Sequence, residues 1–167
     1  MIAVQAADSE RTVIEEFFEL FKTPWKFSSD GGQADVVICS HAEIPATGTR
    51  LVLVYDGQAK PANTDRPILP GRQKSNVMLL YHGKKIPIYG RCRVFGDSGD
   101  SVLKHESSGG PVMSTTTANG RTIVRIGYDL FGEVRRLLTC GQPEVNAEIP
   151  ALEIHIAILR DLIVGAG

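Results

Sequence analysis

The sequence predicts an α/β fold: a mainly parallel central sheet with antiparallel hairpins added to it and helices on both faces. Three observations carry that prediction. Residues 34–40 and 51–55 are short, nearly unbroken apolar runs rich in Val, Ile and Leu, as strands covered on both faces require. His82-Gly83 and Asn119-Gly120 each separate two strand-like runs, the pattern of a tight hairpin. Three further stretches place apolar residues at helical spacing. The 167 residues, 43% hydrophobic and 22% charged, suit one soluble domain that folds on a single core without a metal or disulfide staple.

In chain order, residues 2–6 form an apolar run without a helix cap and read as a strand. Asp8 and Ser9 then open a helix over 8–22. Val13, Ile14, Phe17, Leu20 and Phe21 make its buried arc, and Thr23-Pro24 stops it. The runs 34–40 and 51–55 supply buried parallel strands. Residues 56–76, broken by Pro61, Pro67, Pro70 and Gly71, show no periodicity and read as a long loop. Two hairpins follow, 77–81 with 86–89 and 112–117 with 122–126, since the turn between them needs positive φ at both central positions.

Asp129 then caps an amphipathic helix over 129–139 through Leu130, Phe131, Val134, Leu137 and Leu138, closed by Cys140-Gly141-Gln142-Pro143. A last helix spans 150–164. Its apolar residues occupy well over half the wheel, with His155 in the middle of the arc. Two explanations stand for so wide an arc: burial between two layers of this domain, or a second face for a partner or a following domain. The chain ends on Leu162-Ile163-Val164-Gly165-Ala166-Gly167, and the expectation is an N-terminal piece of a longer protein, its last helix leading to a further domain.

Charge is uneven. Residues 1–35 carry seven acids and three bases, whereas 60–93 carry eight bases, Lys60, Arg66, Arg72, Lys74, Lys84, Lys85, Arg91 and Arg93, against Asp65 alone. The formal net charge of −1 gives no global field for nucleic acid or acidic lipid. No run reaches the roughly 18 apolar residues of a spanning helix, and the start lacks the regions of a secretory signal. Three cysteines, Cys39, Cys92 and Cys140, are odd in number and widely spaced, so free thiols in a reducing, cytoplasmic compartment are expected.

Candidate chemistry is sparse. Cys39-Ser40-His41 sets a thiol and an imidazole two residues apart at a strand end, the raw material of a thiol nucleophile, but the glycines of a nucleophile elbow are missing. Ser107-Ser108-Gly109-Gly110 fits neither phosphate-loop pattern and reads as a turn. Asp97-Ser98-Gly99-Asp100-Ser101 is a poor metal cage, and His41, His82, His105 and His155 never reach zinc-site spacing. Lys84, Lys85, Arg91 and Arg93 are candidate contacts for an anionic ligand; no recognised nucleic-acid motif accompanies them. Neither a metal nor a cofactor is expected.

From Asn119 to Gly167, through Gly127-Tyr128-Asp129-Leu130-Phe131 and the segment Glu148-Ile149-Pro150-Ala151-Leu152-Glu153-Ile154-His155-Ile156, the sequence resembles the segment that precedes the catalytic domain in bacterial polysaccharide-deacetylase-like proteins. The resemblance covers these 49 residues. It implies a class I glutamine amidotransferase-like, flavodoxin-like α/β region whose partner is the catalytic domain of the same chain. Leu152, His155, Ile158, Leu159 and Leu162 then form the candidate interdomain face. No catalytic residue carries over: the chain has no Asp-Asp pair, no His-x-x-x-His and no Gly-x-Cys-x-Gly.

The function expected is therefore a non-catalytic accessory domain of a polysaccharide-deacetylase-like protein, with nucleic acid and membrane not expected as partners. The alternatives are a small-molecule or polyanion module built on the basic 60–93 region, and a divergent thiol hydrolase at Cys39.

Overall fold

The computed structural model describes residues 1–28, 33–40, 44, 48–56, 72–95 and 101–165. The architecture is α/β, as the sequence predicts. Six strands form the main sheet: β1 (Ile2–Gln5), β2 (Trp25–Phe27), β3 (Val36–Cys39), β4 (Leu51–Tyr55), β8 (Met113–Ala118) and β9 (Arg121–Ile126), in the order β2-β1-β3-β4-β9-β8. The first five run parallel, and β8 pairs antiparallel at the edge. A separate antiparallel sheet, in the order β6-β5-β7, is made by β5 (Arg72–Tyr81), β6 (Lys84–Val94) and β7 (Leu103–His105). Thus only the second of the two expected hairpins extends the central sheet. The first carries its own, and its first strand reaches back to Arg72, into the expected loop.

The parallel register puts Ile2, Val36 and Leu51 in one row and Val4, Ile38, Leu53 and Val124 in the next. Alternation then sends these side chains to one face and Ala3, Val37, Cys39, Val52 and Val54 to the other. The first face holds the main core. The helices α1 (Arg11–Phe21), α2 (Leu130–Thr139) and α3 (Ala151–Gly165) all place their buried side chains in it, together with Leu79, Ile86 and Ile88 of the second sheet. The helices expected on two faces therefore serve one layer. On the other face the smaller cluster is joined, among the described residues, by Ala34, Ile44 and Ile123.

Each helix turns slightly from the expected arc. In α1, Phe18 is buried and Leu20 is 47% exposed, because Phe18 stacks on Trp25 of β2 at 4.9 Å. In α2, Asp129 is the N-cap, its Oδ1 accepting from the Gly132 N–H at 3.1 Å, as its position predicts. Buried Glu133 accepts from the N–H groups of Gly90 at 2.7 Å and Tyr89 at 3.0 Å, pinning α2 to the bend of β6, while Leu138 is exposed. The hairpin turn Tyr81-His82-Gly83-Lys84 holds positive φ at both centres, 47° and 78°, with His82 taking the place an Asn normally fills.

Candidate functional site

The strand order reverses between β1 and β3, and in open α/β sheets the crevice outside the carboxyl ends of such strands is the usual ligand position. Here it is bridged by the chain's own groups. Glu10 Oε2 accepts from the Ala7 N–H at 3.1 Å and from the Ser40 hydroxyl at 2.8 Å, and the Ser40 N–H donates to the Gln5 carbonyl at 3.0 Å. The Ser40 proton is thus committed to Glu10, and the pair ties the start of α1 to β3. Sequence reasoning missed this link; Glu10 sitting three residues after Ala7, as in a capping box, was its one local signal.

Cys39 precedes Ser40 and faces the opposite side of the sheet, fully buried beside Val52 and Val54. Burial pushes its thiol up to about 12, against the pull of Arg121 and Arg125. Since the thiolate is the nucleophile, Cys39 has nothing to attack with at neutral pH. His41, the other half of the expected pair, lies outside the described residues. Alkylation of the native protein is expected to modify Cys140, which is exposed, well before Cys39 or Cys92, both buried. Peptide mapping after a short iodoacetamide pulse checks this; rapid labelling of Cys39 would contradict it.

The four basic candidates do not converge. Lys84 and Lys85 sit at one end of β6 and Arg91 and Arg93 at the other, six to nine residues along an extended strand, or roughly 20–30 Å apart. Lys85 already pairs with Glu106 at 3.0 Å. A groove of about 660 Å³ runs between this hairpin tip and α3, with His82, Lys84 and Lys85 on one wall. Glu148, Glu153 and Asp161 line the other, so a polyanion meets repulsion opposite the lysines. Tyr81 donates its hydroxyl to Asp161 within it. Arg93 is buried rather than displayed.

The expected interdomain face is also redistributed. His155 and Leu159 are 0% exposed and Ile158 is buried with them, so these three belong to the domain's own core and are not available to a partner. Leu152 and Leu162 remain half-buried. Of the two explanations for the wide arc, burial between layers accounts for its centre: α3 packs against α2 and β6. The His155 Nδ1 lies 3.2 Å from the Tyr128 hydroxyl, and the Tyr128 ring meets that of Tyr55 at 5.6 Å. Among the described residues the buried His155 Nε2 and Tyr55 hydroxyl have no hydrogen-bond partner. Burial lowers His155 to about 3, holding the ring neutral.

The remaining motifs are structural where they are described. Ser108 Oγ lies 2.8 Å from His105 Nδ1 and accepts from the Gly110 N–H at 3.2 Å, closing the Ser107–Gly110 turn on itself. Residues 97–100 of the acidic loop lie outside the described residues, and the Ser101 hydroxyl donates to the Leu103 carbonyl. Among the described residues no group of three or more His, Cys, Asp and Glu is placed to hold a metal ion, and no helix is long and apolar enough to cross a membrane.

No protein-family model and no curated protein matches the sequence. The fold does have counterparts among solved structures. A polyextremophilic beta-galactosidase from the Antarctic haloarchaeon Halorubrum lacusprofundi aligns over 99% of this chain and 30% of its own, with a TM-score of 0.55 and 14% identity. A GH42 beta-galactosidase from G. stearothermophilus aligns over 98% of this chain and 29% of its own, with a TM-score of 0.60 and 10% identity. The chain therefore spans under a third of the length of these proteins, and at such identities the likeness is one of α/β fold.

Proposed function

We propose that this chain is a non-catalytic accessory domain that packs against, and positions, the catalytic domain of a longer carbohydrate-active protein. The observation that carries the reading is its likeness over nearly its whole length to less than a third of two β-galactosidases. The resemblance of residues 119–167 to the segment preceding a polysaccharide deacetylase supports the same role beside a different glycan-modifying enzyme. The described residues also bring no nucleophile, base and orienting group together.

In this reading the docking strip is what α3 leaves unburied. Leu152, Ile156 and Ile163 fall within about 40° of one another on the helix, beside the buried arc, and all three are half-buried. Val164, 72% exposed, adds apolar surface near the end of the helix, roughly 100° round from them. This replaces the expected face of Leu152, His155, Ile158, Leu159 and Leu162.

The test is the mass of the native polypeptide in its source cells, detected with an antibody raised against this domain. A chain several times heavier than 18.1 kDa, in which Ile156→Asp exposes the boundary after α3 to limited proteolysis, is the expected result. A native chain of about 18.1 kDa would overturn the reading.

A further inference from the structure

Three segments meet at the carboxyl end of the main sheet. β6 leaves its hairpin and crosses the end of β9, where the Arg93 N–H donates to the Gly127 carbonyl at 2.6 Å. A Cβ at position 127 would lie 2.1 Å from the Arg93 carbonyl oxygen, so only glycine allows so close a crossing. Next to it the N–H of Asp56, the residue after β4, donates to the Ile126 carbonyl at 3.0 Å. Arg125 pairs in register with Val54, which itself pairs with Cys39, so its side chain shares the face of the sheet that carries the smaller cluster. Two arginines and one aspartate are thereby gathered around the ends of β4 and β9.

Among the described residues the charges do not balance. Arg93 is only 7% exposed, and among the described residues its buried Nε has no hydrogen-bond partner. Among the described residues neither Arg93 nor Arg125 makes an ion pair. The Asp56 carboxylate favours the charged form of both guanidiniums, and burial opposes it in both; Arg93 further opposes Arg125. A buried guanidinium is tolerated when a hydrogen-bonded anion answers it, and one carboxylate cannot answer two. The Phe95 ring lies 5.0 Å from the Arg93 Cζ and takes up the face of the guanidinium. Its in-plane N–H groups are the ones arginine uses for a forked contact with planar or tetrahedral oxyanions.

We propose that Arg93 and Arg125, at the carboxyl ends of β4 and β9, form a binding site for the carboxylate or phosphate group of a small anionic ligand. Asp56 favours the charged form of both guanidiniums, and among the described residues the three side chains carry one more positive charge than negative. The site lies outside the strand ends, as ligand sites in parallel sheets do. It is independent of the accessory-domain reading and of the lysines at the far end of β6.

Inorganic phosphate and malonate are the probes, titrated into the purified protein by calorimetry and by thermal unfolding, with chloride at matched ionic strength as the reference. One or both are expected to bind and to raise the unfolding midpoint by several degrees, and which one does so identifies the group. Arg125→Gln is expected to weaken binding at least about tenfold, the usual cost of losing a charge-assisted hydrogen bond. Arg91→Gln, an exposed change on the same strand, is expected to bind like the parent. Should Arg125→Gln fail to fold, Arg125→Lys keeps the charge but not the fork, and it too is expected to bind more weakly. A midpoint in phosphate and malonate equal to that in chloride, or an Arg125 variant that binds as the parent does, would overturn the proposal.

Discussion

Ile158→Asp is expected to unfold the domain at 25 °C rather than to detach it from a partner. Ile158 is buried in the layer where α3, α2 and the second sheet meet the main sheet. Removing its side chain costs about 2–5 kcal/mol in lost contacts and cavity. An ionised carboxylate left in that layer without a partner adds several kcal/mol more. Against the ~5–15 kcal/mol that holds a typical domain together, the sum leaves little or no folded protein. Val164→Asp, near the end of the same helix and largely exposed, should cost under about 0.5 kcal/mol. Urea unfolding of both variants tests the assignment. A cooperative transition for Ile158→Asp close to that of the parent would mean that α3 does not lie in the core and that the expected interdomain face should be reinstated.

Stability is expected to fall as the solution is acidified from pH 6.5 toward 4.5, with His155 as a principal cause. The ring is neutral in the fold because burial lowers it to about 3, whereas in the unfolded chain it titrates near 6.5. A base depressed by folding contributes its full stability above the unfolded value and loses it as pH falls toward the folded one. Between those limits the unfolded chain holds one more proton, and linkage sets a slope of about 1.4 kcal/mol per pH unit. Buried Glu133 works in the opposite sense: burial raises it, so its contribution declines as pH rises through its folded value. Subtracting the curve of His155→Gln from that of the parent cancels Glu133 and every other group. The difference should slope from pH 6.5 downward and be flat above pH 7.5. A difference flat throughout would show that His155 is solvated in the native state.

Much of the architecture is legible in the sequence because it rests on local patterns. The buried runs at 36–39 and 51–55, the two Gly-containing turns, the Asp129 cap and the three helices follow from burial period, positive φ and unpaired N–H groups, each decided within a dozen residues. Strand β2 is three residues long and β7 likewise, too short for any period to register, and both were missed. Their existence depends on neighbours: Trp25–Phe27 is a strand because β1 offers an edge and Phe18 stacks on Trp25.

The site was less legible, and for a related reason. Lys84, Lys85, Arg91 and Arg93 count as one basic stretch in the chain, yet extended backbone spreads them along β6 and buries the last. The pairing that matters, Arg93 with Arg125 about Asp56, joins residues far apart in sequence. It exists only because Gly127 lets two strands cross in contact. Cys39 and His155 looked reactive or available by type. Close packing on every side, which no local pattern records, took water away from both and leaves the thiol protonated and the imidazole neutral. By itself the sequence determined the longer buried strands, the Gly-containing turns and the three helices, since those depend on residues adjacent in the chain. The tertiary structure alone decided which charged and titratable groups meet, because burial and proximity are properties of the packed chain.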